Sequence, residues 1–125
     1  MEARKVLPEF WPDDIRKEIG SIPVYLVPMK VLKEAGFNHA MIAFVNHHIP
    51  AIYLVREHIE GMSDEALKVV LMHEMCHLKQ PWATEKECDK YAIDIVGIDA
   101  YAEAVAFTKD LEKRLHRPPA EREYF

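Results

Sequence analysis

Two stretches of this 125-residue chain carry complete helix punctuation, and only a few residues separate them. The first opens at Ser63, a good N-cap. Asp64 and Glu65 follow at the positive end of the helix dipole, and the helix is expected to run to about residue 79. Leu67, Leu71, Met75 and Leu78 recur at helical spacing and supply a stripe for the core. Pro81 and Trp82 then break the chain. Thr84 caps a second helix, Glu87 three residues on completes a capping box, and Gly97 ends or bends it. So tight a link lets the two helix ends lie side by side.

The remaining segments are shorter. Val24 to Val27 is rich in strand formers and bounded by Pro23 and Pro28, and residues 29–35 read as a short helix stopped by Gly36. His39 to Asn46 and Ala51 to Val55 read as an antiparallel hairpin, with His48 and Pro50 in its turn. Asp13 or Asp14 is expected to cap a short helix ending at Gly20. Asp99 is expected to cap a last helix from about 100 to 116, with Tyr101, Ala104, Val105, Leu111 and Leu115 as core candidates. The expected fold class is α+β, one domain over residues 1–125: a small, mostly antiparallel sheet packed on helix 64–79, with further helices behind. Residues 1–12, with Phe10 and Trp11, and residues 117–125 read as terminal arms.

Composition narrows the partners. Half the residues are hydrophobic, enough for a real core, and a net charge of −5 argues against nucleic acid and anionic membrane as main partners. No apolar run approaches a membrane span, and Met1 to Pro8 holds no signal-peptide apolar region, so a cytoplasmic protein is expected. Cys76 and Cys88 would stay reduced there.

The first helix ends in His73-Glu74-Met75-Cys76-His77, which spells HExxH. The two histidines lie one turn apart on one face, a spacing that lets two imidazoles hold one Zn²⁺ while Glu74 acts as general base on a water. The plain alternative is two ordinary, partly exposed histidines. A third ligand is needed. Glu85 and Asp89 share a face of the next helix, whereas Glu87 is turned nearly opposite and is already explained as a cap. Glu85, in the first turn, is the expected metal ligand. Asp89, one turn deeper, is the expected acceptor for the N–H of a ligand histidine. A closed structural site of Cys76, His77, His73 and Cys88 is chemically conceivable. It is disfavoured because neighbours such as Cys76 and His77 diverge by about 100° on a helix.

At these residues the chain resembles the gluzincin metallopeptidases, whose signature is HExxH followed by a glutamate ligand on a later helix. It is more closely similar to the catalytic core of the CaaX-prenyl-protease and heat-shock membrane protease family, where a strand precedes the HExxH helix and the next helix reads E-x-x-A-D-x-x-A. Here Ile52-Tyr53-Leu54-Val55 leads to Ala66 through His77, and Glu85-Lys86-Glu87-Cys88-Asp89-Lys90-Tyr91-Ala92 follows, with Cys88 in place of the usual alanine. The short form, without the membrane helices of those relatives, looks like a minigluzincin. The resemblance covers roughly residues 24 to 97. It implies a zincin-like fold, Zn²⁺ on His73, His77 and Glu85, Glu74 as base, Asp89 behind a ligand, and a peptide or protein substrate.

A peptide substrate is expected to pair with strand His39–Asn46. Tyr91, Tyr101, Arg56 and His48 are unranked candidates for the oxyanion donor. Two rival expectations remain. One is a latent peptidase in which an arm from its own chain, or from a second copy in a homodimer, fills the cleft through the aromatic anchors Phe10, Trp11, Tyr124 and Phe125 or the carboxylates of Glu121, Glu123 and the C-terminus. The other is a non-catalytic zinc-stabilised module, which would have no need of Glu74.

Overall fold

The computed structural model describes residues 4–5, 12–36 and 41–115. In chain order the elements are β1 (Arg4–Lys5), α1 (Asp13–Ile19), β2 (Val24–Val27), α2 (Met29–Ala35), β3 (Ala43–Asn46), β4 (Ala51–Val55), α3 (Arg56–Ile59), α4 (Asp64–Lys79), α5 (Glu85–Val96) and α6 (Ile98–Arg114). The class is α+β. What was expected of Phe10, Trp11, His39 and residues 117–125 falls outside the described residues.

The sheet is mixed, with strand order β1-β2-β4-β3. The hairpin β3–β4 is antiparallel, as expected, and so is the short pairing of β1 with β2. The sheet is mostly antiparallel, as expected, but the central pairing is the exception: β2 and β4 run parallel, Val24 opposite Ile52 through Val27 opposite Val55. Parallel neighbours need a crossover of a dozen or more residues, usually through a helix. Residues 28–50 supply one, with α2 inside it and β3 placed on the far side of β4.

Side chains alternate across this sheet. Val24, Ala43, Ile52 and Leu54 join the main core beneath α4, while Val27 and Val55 turn the other way, onto Leu32 of α2. The outer face also carries a row of stacked rings, Tyr25 on Tyr53 at 5.4 Å and Tyr53 on Phe44 at 4.9 Å. Both faces are thus covered in part, which is why the strands alternate imperfectly in sequence.

Helix α4 is the centre of the molecule. It packs on β3 and β4, on α1, and on both α5 and α6. Every residue from Val69 to Cys76 is buried. Leu71 and Met75 of the expected stripe are in the core, while Leu67 and Leu78 pack on its margin. A helix surrounded on this many sides needs apolar residues all round rather than one stripe. Its ends are as read: the Ser63 hydroxyl accepts from the Ala66 N–H at 3.1 Å, and the Gln80 N–H donates to Cys76 O at 2.8 Å. Two caps differ: α1 begins after Pro12, with Asp13 and Asp14 inside its first turn, and α6 begins at Ile98 after Gly97, with Asp99 inside its first turn rather than at the cap; no side chain caps either helix.

Thr84 and Glu87 form the full capping box of α5. Gly97, at φ +115°, ends α5 and starts α6 at once. A Cβ there would meet no atom within 4 Å, so what restricts the position is the backbone conformation, which glycine alone adopts cheaply. That single residue folds α6 back against α4 and α5. Among the described residues no helix is long and apolar enough to cross a membrane.

Candidate metal centre

Helix α4 presents His73 and His77 from its last two turns, and α5 presents Glu85 from its first. The tight connection between them is closed by a hydrogen bond from the Ala83 N–H to Gln80 O at 2.9 Å. Glu87 is spent on the cap: its Oε1 accepts from the Thr84 N–H at 3.0 Å. Glu85 therefore faces the histidines alone. Its Oε2 is 3.0 Å from His73 Nε2 and its Oε1 is 2.9 Å from His77 Nε2. The two Nε2 atoms are 3.1 Å apart.

Among the described residues these three are the group able to hold a metal ion, with ligand atoms all within 4.8 Å of one another. The donor set fits a small divalent cation. Tetrahedral Zn–N bonds of about 2.0–2.1 Å imply ligand atoms roughly 3.3 Å apart. The observed spacings are within a few tenths of an ångström of that.

The proton arrangement makes the same point. Asp89 Oδ1 lies 2.8 Å from His73 Nδ1. An ionised carboxylate can only accept, so Nδ1 carries the hydrogen and Nε2 of the neutral ring carries a lone pair. That lone pair points at a carboxylate oxygen and at a second imidazole nitrogen. His73 Nε2 and Glu85 Oε2, both acceptors in that state, thus face each other at 3.0 Å, an arrangement that a proton or a cation between them stabilises. Without a metal, the proton takes this role. Burial pushes the His73 pKa down, but hydrogen bonds to Asp89 and Glu85, with the charge of Glu74 nearby, carry it up to about 9. The same contacts, from His73 and then His77, pull Glu85 down to about 2.

Burial grades across the site. The side chain of His73 is fully buried, that of His77 is 18% exposed, and that of Glu85 is 58% exposed. The site thus opens on the Glu85 side. Glu74 is buried, only 2% exposed, on the flank of the ligand face and about 60° round the helix from His77. It is not one of the converging ligands.

The other residues singled out in sequence take different places. Asp89 sits behind His73 as expected, and its Oδ2 accepts a hydrogen bond from the Tyr101 hydroxyl at 3.0 Å. Tyr91 donates instead to Glu18 at 2.6 Å. The Arg56 side chain is 55% exposed, beside Glu57. His48 lies exposed in the β3–β4 turn, its N–H donating to Asn46 Oδ1 at 2.9 Å. Two of the four oxyanion candidates thus already serve other groups.

Cys76 and Cys88 are buried free thiols outside the ligand group, so the closed four-residue site is not assembled. Burial first, and the neighbouring Cys76 second, hold the Cys88 thiol above its ordinary pKa, the reverse of what a metal-binding thiolate needs. Sequence reasoning missed Tyr101 as the partner of Asp89. No local signal marks it, because the contact depends on the reversal at Gly97. Comparison with protein-family models, with curated proteins and with solved structures finds no match for this chain.

Proposed function

We propose that this chain is a zinc-dependent metallopeptidase of the gluzincin type, built on a zincin-like core. One observation carries the proposal: His73, His77 and Glu85 converge at ligand distances, while the glutamate between the histidines stays out of the ligand set. A purely structural site has no use for a buried carboxylate at that position.

His73, His77 and Glu85 would hold the ion, which supplies Lewis acidity and an activated water. Asp89 keeps the Nδ1 hydrogen of His73 in place and so keeps Nε2 free to bind. Glu74 takes the proton of the attacking water and passes it to the leaving amine. Strand β3 ends the strand order of the sheet and packs on α4, so its outer edge offers backbone groups to an extended peptide. Strand addition holds a peptide without reading its side chains, which fits a peptide or protein substrate of broad sequence.

Glu74→Gln is the decisive substitution. It keeps size and hydrogen-bonding capacity but removes the base. Zinc content and thermal stability should stay close to the parent values, and peptide hydrolysis should fall by roughly 10²- to 10⁴-fold. Equal turnover in parent and variant would sink the assignment of Glu74 as base.

A further inference from the structure

We infer that Tyr101 is a positioning residue for the ligand His73, acting through Asp89. The inference rests on the metal-site reading only for its consequence, since the hydrogen bonds themselves are present in the protein alone. His73 on α4, Asp89 on α5 and Tyr101 on α6 form a chain across three helices: Nδ1 to Oδ1 at 2.8 Å, then Oδ2 to the phenol at 3.0 Å.

A carboxylate has two equivalent oxygens and a broad terminal torsion, so one hydrogen bond does not fix its plane. The Asp89 side chain is 17% exposed, open enough for water to compete at Oδ2. The Tyr101 O–H fills that oxygen from a separate helix and pins the carboxylate plane, leaving Oδ1 aimed at Nδ1. The tautomer and ring orientation of His73 follow from that aim, and with them the direction of the Nε2 lone pair.

The position of Tyr101 is itself set by the backbone. Its N–H donates to Gly97 O at 3.2 Å, in the first turn after the reversal at φ +115°. From there the residue comes back level with Asp89, more than two turns up α5. Asp89 and Tyr101 line one groove together with Lys86, Lys90 and Ile93, so the pair sits beside solvent.

Tyr101→Phe tests this, since it keeps the ring and its packing and removes only the oxygen. Zinc affinity, measured by competition with a chromophoric chelator, should weaken about three- to tenfold. Asp89→Asn should weaken it by roughly ten- to a hundredfold. Because Tyr101 acts through Asp89, the double variant should bind no more weakly than Asp89→Asn alone. Parent affinity in Tyr101→Phe, or losses that simply add in the double variant, would overturn the inference. A second readout needs no metal: in ¹⁵N-labelled metal-free protein, the His73 Nδ1–H resonance should exchange faster with water in Tyr101→Phe than in the parent. If the parent binds no zinc, the metal reading fails, and this exchange rate alone decides. Unchanged exchange removes Tyr101 from the relay, and faster exchange keeps it.

Discussion

Two polar clusters tie α5 to its neighbours, and only one of them is closed. Towards the end of α4, Lys79 Nζ lies 2.7 Å from Glu18 Oε2, and the Tyr91 hydroxyl donates to the same oxygen at 2.6 Å. Lys79 lies 3.0 Å from that hydroxyl as well. One ammonium faces one carboxylate, and both the ammonium and the phenol donate to Glu18. Two residues back along α4, His77 joins His73, Glu85, Asp89 and Tyr101 in the second cluster. This one sets two carboxylates against two imidazoles and holds no fixed positive charge. The first cluster is complete as protein. The second needs protons or a cation, and a divalent ion matches its two negative charges. What separates a structural clamp from a candidate metal centre here is unbalanced acceptors.

Breaking the open cluster should have the largest effect. The purified protein should hold about one zinc per chain by elemental analysis. His73→Ala or His77→Ala should abolish it, and Glu85→Ala should reduce affinity well beyond the roughly ten- to hundredfold typical of outer partners. Glu87→Ala should leave the metal in place and cost only its half of the capping box. Loss of metal in Glu87→Ala with retention in Glu85→Ala would reverse the assignment of faces on α5.

The open cluster was largely legible in sequence, and the closed one was not. Ser63, Thr84, Glu87, Gly36 and Gly97 mark element ends through local chemistry, and the structure has α2, α4 and α5 where they put them. Given those ends, helical spacing alone puts His73 and His77 on one face and sets Glu85 against Glu87. Non-local choices left no such trace. The parallel pairing of β2 with β4 depends on where the crossover carries the chain. Burial of α4 on all sides depends on how many layers surround it. Glu18 meets Lys79 and Tyr91 across 61 and 73 residues, and nothing near Glu18 announces either partner.

The pH dependence of the open cluster sharpens the contrast. In the metal-free protein the folded pKa of His73 is raised, from 6.5 to about 9. The protonated ring then contributes stability that is fully present below about pH 6.5 and is lost as pH rises through 9. Glu85 acts in the opposite sense, its contribution being present above 4.5 and lost as pH falls towards 2. A metal needs the nitrogen that the proton occupies, so binding releases about one proton from His73. Between pH 6.5 and 8.5 the zinc affinity should therefore rise roughly tenfold per pH unit, while the metal-free protein loses stability over the same range. Chelator competition and thermal melts of both forms check the pair of trends. A flat affinity would mean that no proton stands in for the metal.

The smallest effect belongs to the closed cluster, and its smallness is the test. Glu18 and Lys79 are a third or more exposed at the side chain, so their pairing is screened by water. Exposed pairs contribute about 0.2–1 kcal/mol. The carboxyl of Glu18 is held below its usual range by Lys79 first and Tyr91 second. Its share of stability is therefore present above about pH 4.5 and fades as the solution is acidified further. Glu18→Gln should lower stability at neutral pH by about 1 kcal/mol or less, measured by urea denaturation, and the difference from the parent should shrink at low pH. Zinc content should not change, because this cluster supplies no acceptor to the ligand face. Its links to the candidate metal centre run through the backbones of α4, between His77 and Lys79, and of α5, between Asp89 and Tyr91. Loss of zinc in Glu18→Gln would mean that the clamp sets the angle between α4 and α5, and the two clusters would then have to be treated as one.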